Sequence, residues 1–119
     1  MTKKFIYITT TTEFIHCYPN APAEVGYLRH YHRHLAHIKV RLEVFHTDRE
    51  IEFILFKHEV EDYLKRYSLC EYNEMSCENI AEKLIADIRY NYGRERDIWV
   101  EVSEDGENGC ILECKAEDE

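Results

Sequence analysis

Ten residues, LRHYHRHLAH at 28–37, hold four of the chain's seven histidines, at positions 30, 32, 34 and 37. Imidazole binds metals, holds anions and moves protons near neutral pH, so spacing decides which of these such a run can do. On a β-strand, residues i and i+2 project from one face, which sets His32 and His34 side by side as a pair of metal ligands. A third ligand must come from elsewhere. His16 lies near the end of an earlier aromatic and β-branched run, KFIYITTTTEFIHCY. A hairpin that aligns the ends of the two strands brings His16 beside the pair, because neighbouring strands lie about 5 Å apart. Three histidines with a fourth position open is a common catalytic zinc arrangement, and imidazole suits zinc, with iron and nickel as alternatives. Spacing alone leaves a second reading open, in which these are surface or packing histidines. His30 shares the parity but precedes the clear alternation, and His37 has no assignment.

The elements that must position these residues follow from periodicity. From His32 the chain alternates, with Ala36, Ile38, Val40, Leu42 and Val44 on one face and His37, Lys39, Arg41 and Glu43 on the other. The prolines and small residues of YPNAPAEVG predict a loop before it. HTDRE reads as a turn leading to a short second strand, IEF. Phe56, Val60, Tyr63, Leu64 and Tyr67 recur at helical spacing. A second helix is predicted over SCENIAEKLIADIRYNYG, with Ser76 as N-cap, Ile80, Ala81, Leu84, Ile85 and Ile88 as its apolar stripe, and Gly93 closing it. DIWVEVSE and GCILECK flank the polar turn DGENG as a hairpin. The order ββααββ predicts an α+β fold, an antiparallel sheet with two helices on one face.

At 119 residues the chain suits a single domain over 1–119, ending in an acidic tail at about 115–119. Its net charge of −9 argues against a nucleic-acid groove and against an anionic membrane surface, both of which need basic charge. No stretch approaches the roughly 18–20 apolar residues of a membrane span. The N-terminal apolar run is short and polar for a signal peptide. Five cysteines, at 17, 70, 77, 110 and 114, form no CxxC pair. They are expected to be reduced thiols in a cytoplasmic protein. By strand parity Cys17 is expected to face away from His16 as a buried structural thiol, with Cys110 and Cys114 in the core.

His16, the HxH pair His32 and His34, the alternating strand, SCENIAEKL and VEVSE together resemble the 6-pyruvoyl and 6-carboxytetrahydropterin synthase family, over about residues 5–114. The family's HGH motif has Arg33 at its centre here, and its DF-x-x-L-K stands as Glu52 to Lys57. Its PT-x-EN helix start stands as Met75-Ser76-Cys77-Glu78-Asn79. The resemblance implies a tunnelling fold, in which ββααββ subunits join into an oligomeric barrel, often a hexamer, with pockets between subunits. It implies zinc on His16, His32 and His34. It also implies that Glu104, at the end of VEVSE, anchors a pterin ring, with Ser76 nearby as a second ligand-binding residue. A carboxylate accepts two parallel hydrogen bonds from the ring N–H and exocyclic amine of a pterin or guanine. The rival reading makes Glu104 a turn residue before Asp105-Gly106.

The family's proton-transfer set has no counterpart. No cysteine stands among residues 26–31, and RYSLCEYNEMSC between the helices lacks the Asp-His pair. The expected function is therefore binding of a pterin or guanine-like purine or nucleotide at a zinc-containing pocket between subunits, for sequestration or sensing. Two alternatives stand beside it. One is a zinc-dependent carbon–oxygen lyase or aldolase-like enzyme with a rearranged site, in which His30 is a candidate acid or base. The other is an oligomeric structural protein with a relic pocket. Arg29, Arg33 and Lys39 are candidates for anionic contacts.

Overall fold

The structure, a computed structural model, describes residues 2–117. It contains strand β1 (Lys4–His16), a 3₁₀ segment (Ala23–Arg29), β2 (His32–Val44), helix α1 (Phe53–Arg66), β3 (Glu71–Asn73), α2 (Cys77–Tyr92), β4 (Ile98–Glu104) and β5 (Asn108–Cys114). The sheet order is β3-β1-β2-β4-β5, antiparallel except for β3, which runs parallel to β1. The fold is α+β, as periodicity predicts, but the sheet is mixed rather than antiparallel. Three residues between the helices suffice for β3, too few to show any alternation. They pair with Ile15 and His16, which anchors the end of β1 where a candidate ligand lies.

Even-numbered strand residues face the helices. Ile8, Phe14, Ala36, Ile38, Val40, Leu42, Ile98, Val100 and Val102 are buried there against Phe56, Val60 and Leu64 of α1 and Ile80, Ala81, Leu84 and Ile88 of α2. The opposite face stays wet. Phe5, Tyr7 and Ile111 are exposed on it, Lys39 lies over the Tyr7 ring and Arg41 over the Trp99 ring.

Helix α2 begins with a capping box. Ser76 Oγ accepts from Asn79 N and Asn79 Oδ1 accepts from Ser76 N, both at 3.1 Å. Gly93, at φ 91°, ends the helix in a conformation that side chains disfavour. The expected strand at IEF does not form. The Glu52 carboxylate accepts from Ile54 N at 2.7 Å and from Leu55 N at 3.4 Å, capping α1, so Phe53 opens the helix instead. The expected loop before β2 holds the 3₁₀ segment, fastened where Arg29 donates twice to Ala21 O, at 3.0 and 2.7 Å. Residues 115–117 of the expected acidic tail are tied down. Ala116 N donates to Asp97 Oδ1, and Glu117 pairs with Arg89 and Arg94. Residues 118–119 lie outside the described residues. No helix among the described residues is long and apolar enough to cross a membrane.

Candidate metal centre

The register of β1 against β2 sets His16 directly opposite His32 and Phe14 opposite His34. Ala36, two residues beyond His34, pairs with Glu104 on β4. His16, His32, His34 and Glu104 are all even-numbered, so they share the helix-facing side of the sheet at its open end. The ring centroids of His16 and His32 are 4.4 Å apart, and those of His32 and His34 are 4.9 Å apart. One nitrogen from each of the three rings lies within 4.8 Å of the others.

Hydrogen bonds on the far side of each ring orient this cluster. Nδ1 of His16 bonds to Met75 O at 2.9 Å, Nδ1 of His32 to His30 O at 2.9 Å, and Nδ1 of His34 to Asp105 Oδ2 at 2.7 Å. Carbonyl and carboxylate oxygens only accept, so each Nδ1 donates its hydrogen and each neutral ring keeps its lone pair on Nε2. The Nε2 atoms of His16 and His34 are buried and have no hydrogen-bond partner among the described residues. Buried polar atoms left unpaired are uncommon and call for a ligand. Burial foremost, with the neighbouring His32 and His34, pushes the His16 pKa below its ordinary value against the opposing pull of Met75 O and Glu104. The neutral, ligating form is thus the favoured one at neutral pH. Three imidazoles with fixed tautomers and one nitrogen each within 4.8 Å of the others are a donor set that fits a divalent metal ion.

Glu104 faces the same nitrogens. Its Oε1 lies 3.2 Å from His16 Nε2 and its Oε2 lies 3.3 Å from His34 Nε2. A cleft of ≈ 540 Å³ opens beside the cluster, bordered by His16, His32 and Glu104 from the sheet and by Ser76, Cys77 and Asn79 from the start of α2. Ser76 lies where expected, though its oxygen is already engaged in capping the helix.

No family model matches the chain, and no curated protein matches it in sequence.

The other sequence candidates are scattered. His30 is exposed, and its backbone carbonyl rather than its ring reaches the cluster. His37 lies on the opposite face of β2. Arg33 pairs with Glu13 at 2.5 Å across the hairpin, so with Arg29 on Ala21 and Lys39 on Tyr7 all three cationic candidates have structural partners. Cys17 is buried, as expected, but it follows the last residue of β1, where alternation has ended, and it borders the cleft together with His16. Cys110 and Cys114 are only partly buried, at the margin of the core.

Asp105 is the residue that sequence reading passed over. Its Oδ1 accepts from Leu35 N at 2.7 Å while Oδ2 holds His34, and its backbone N donates to Leu35 O at 2.7 Å. The Leu35 N–H first, and the His34 ring second, hold its carboxyl below the usual range. A signal existed in the Asp-Gly pair ending β4, since Asp tolerates the φ of 58° found there. In Asp105→Asn the amide can keep the Leu35 bond but sets a donor against His34 Nδ1–H. Metal affinity is expected to fall by about 10–100-fold, read by competition with a chromophoric chelator, with an unchanged far-ultraviolet circular dichroism spectrum.

Neither Cys77, on the cleft, nor Cys70, buried in the core, is primed for chemistry. Burial pushes the Cys77 thiol up to about 12, with Glu104 adding to the shift, and pushes Cys70 up to about 11. Burial disfavours the thiolate, so both groups are protonated at pH 8. Iodoacetamide at pH 8 is therefore expected to leave Cys70 and Cys77 unmodified in the folded protein and to label both in urea. Rapid labelling of Cys77 without denaturant contradicts the assignment.

Proposed function

We propose that the chain is a tunnelling-fold protein of the 6-pyruvoyl and 6-carboxytetrahydropterin synthase type. In this reading it holds zinc on His16, His32 and His34 and a pterin or guanine-like ring in the adjoining cleft, in an oligomer of like subunits. One observation carries the reading: three imidazoles, each with Nδ1 already bonded, bring one nitrogen apiece within 4.8 Å of the others beside an open cleft. Zinc, when bound, supplies Lewis acidity toward oxygen atoms on the ring's side chain. The chain's own residues do the recognising. Glu104 on the cleft margin offers two acceptor oxygens to a ring N–H and amine, and the Ser76 hydroxyl keeps its hydrogen free to donate.

Support for an oligomer comes from the sheet. Beyond the two residues paired with β3, the outer edge of β1 has no partner among the described residues, and neither has the outer edge of β5. Open edges of this length invite pairing with another copy. The absence of the family's cysteine and Asp-His pair, together with the protonated Cys77 thiol beside the cleft, supports binding, sequestration or sensing rather than the synthase reaction.

Native mass spectrometry of freshly purified protein, with denaturing spectra and elemental analysis of the same sample, tests this function. A closed oligomer carrying about one zinc per chain and releasing a small heterocycle is the expected result. Turnover of dihydroneopterin triphosphate by clean, zinc-loaded protein overturns the non-catalytic reading. A monomer that takes up neither zinc nor any ring, even when both are added, overturns the whole of it.

A further inference from the structure

With the rings neutral, the position of Glu104 is electrostatically unfavourable. Its two oxygens face the Nε2 lone pairs of His16 and His34, and neither pair makes a hydrogen bond. A carboxylate set against two lone pairs is repulsive unless a cation lies between them. The separations are informative. Around an ion with bonds of about 2.0–2.1 Å, two tetrahedral ligand atoms lie about 3.3 Å apart. The Glu104 oxygens stand 3.2 and 3.3 Å from the two nitrogens, the separation of neighbouring ligands rather than of an anchor held clear of the metal. The side chain is also pre-aimed, because Glu104 pairs with Ala36 in the sheet and so lies diagonally across from His34.

From this geometry we propose that Glu104 is a fourth, displaceable ligand of the ion, completing a three-histidine, one-carboxylate set at rest. This inference rests on the metal reading above and adds to it. Glu104 borders the cleft as well as the cluster, so its oxygens serve one partner at a time. A ring that takes the carboxylate draws it off the ion, and ring binding and the opening of the fourth position become one event.

Cobalt(II) is the probe, because four-coordinate cobalt has intense visible d–d bands and higher-coordinate cobalt has weak ones. Wild-type protein, Glu104→Gln and Glu104→Ala are titrated with cobalt(II), then with pterin, with circular dichroism confirming that each is folded. Gln preserves the side chain's shape if Ala does not fold. In the wild type, one equivalent of cobalt is expected to give intense bands that change on adding pterin. In the variants, affinity is expected to fall at least tenfold, a loss on the scale of a missing second-shell partner or greater. The variant spectra are expected to be insensitive to pterin. Wild-type affinity and spectrum in both variants overturn the role of Glu104 and leave the histidine site standing. Wild-type bands unmoved by saturating pterin overturn the displacement. No cobalt binding by the wild type overturns the metal reading and this inference together.

Discussion

Replacing His32 with Ala is expected to lower zinc affinity by about 10²–10³-fold. A protein zinc site is worth roughly 10–16 kcal/mol over four ligands, or about 2.5–4 kcal/mol per ligand. His32 is the cleanest choice. It is half-buried and, among the described residues, its side chain bonds only to a backbone carbonyl two residues away, so the variant retains the hairpin. Chelator competition reads the change directly, and an unaltered affinity identifies these rings as packing histidines. Acid acts in the same direction as the substitution, because a protonated imidazole cannot ligate. His16, whose pKa is lowered chiefly by burial, stays neutral, and so able to ligate, to a lower pH than an ordinary histidine.

Phe14→Ala carries a large expected cost to stability, about 3–5 kcal/mol. Phe14 is fully buried, lies opposite His34 in the register, and its ring centroid is 3.9 Å from that of His16. Removing it leaves a cavity under two of the three candidate ligands. Phe56, on α1, is 1% exposed and provides the comparison. Phe56→Ala is expected to cost a similar amount in urea denaturation, yet only Phe14→Ala is expected to weaken zinc binding in the folded protein. Equal metal affinity in the two variants contradicts a packing role for Phe14 at the site.

Much of this arrangement is legible from single residues. Parity alone groups His32 with His34, and Ile80, Ala81, Leu84 and Ile88 mark the buried face of α2 because a helix repeats its contacts every three to four residues. What local pattern cannot supply is cross-strand register. That Glu104 reaches His16 and His34 depends on β4 pairing Glu104 with Ala36, a relation between residues 68 positions apart in sequence. Asp105 escaped for the same reason, since a turn residue gives no periodic signal and its partner His34 lies 71 residues away. Strand β3 and the helical start at Phe53 escaped for a different one. Three residues are too few for alternation, and Ile-Glu-Phe reads equally well as strand or as the capped entry to a helix. The proposed likeness to the pterin synthases is carried by a few positions spread over the chain, and it leans most heavily on the histidine cluster.

X-ray absorption at the zinc edge, on protein loaded with one equivalent of zinc, tests the central claim most directly. The account predicts a first shell of nitrogen and oxygen at about 2.0–2.2 Å, with the outer-shell scattering of three imidazole rings and no sulfur. That scattering should drop to two rings in His32→Ala. A shell of sulfur from Cys17 or Cys77, or one of oxygen with no imidazole scattering, contradicts the assignment of His16, His32 and His34 as the metal centre.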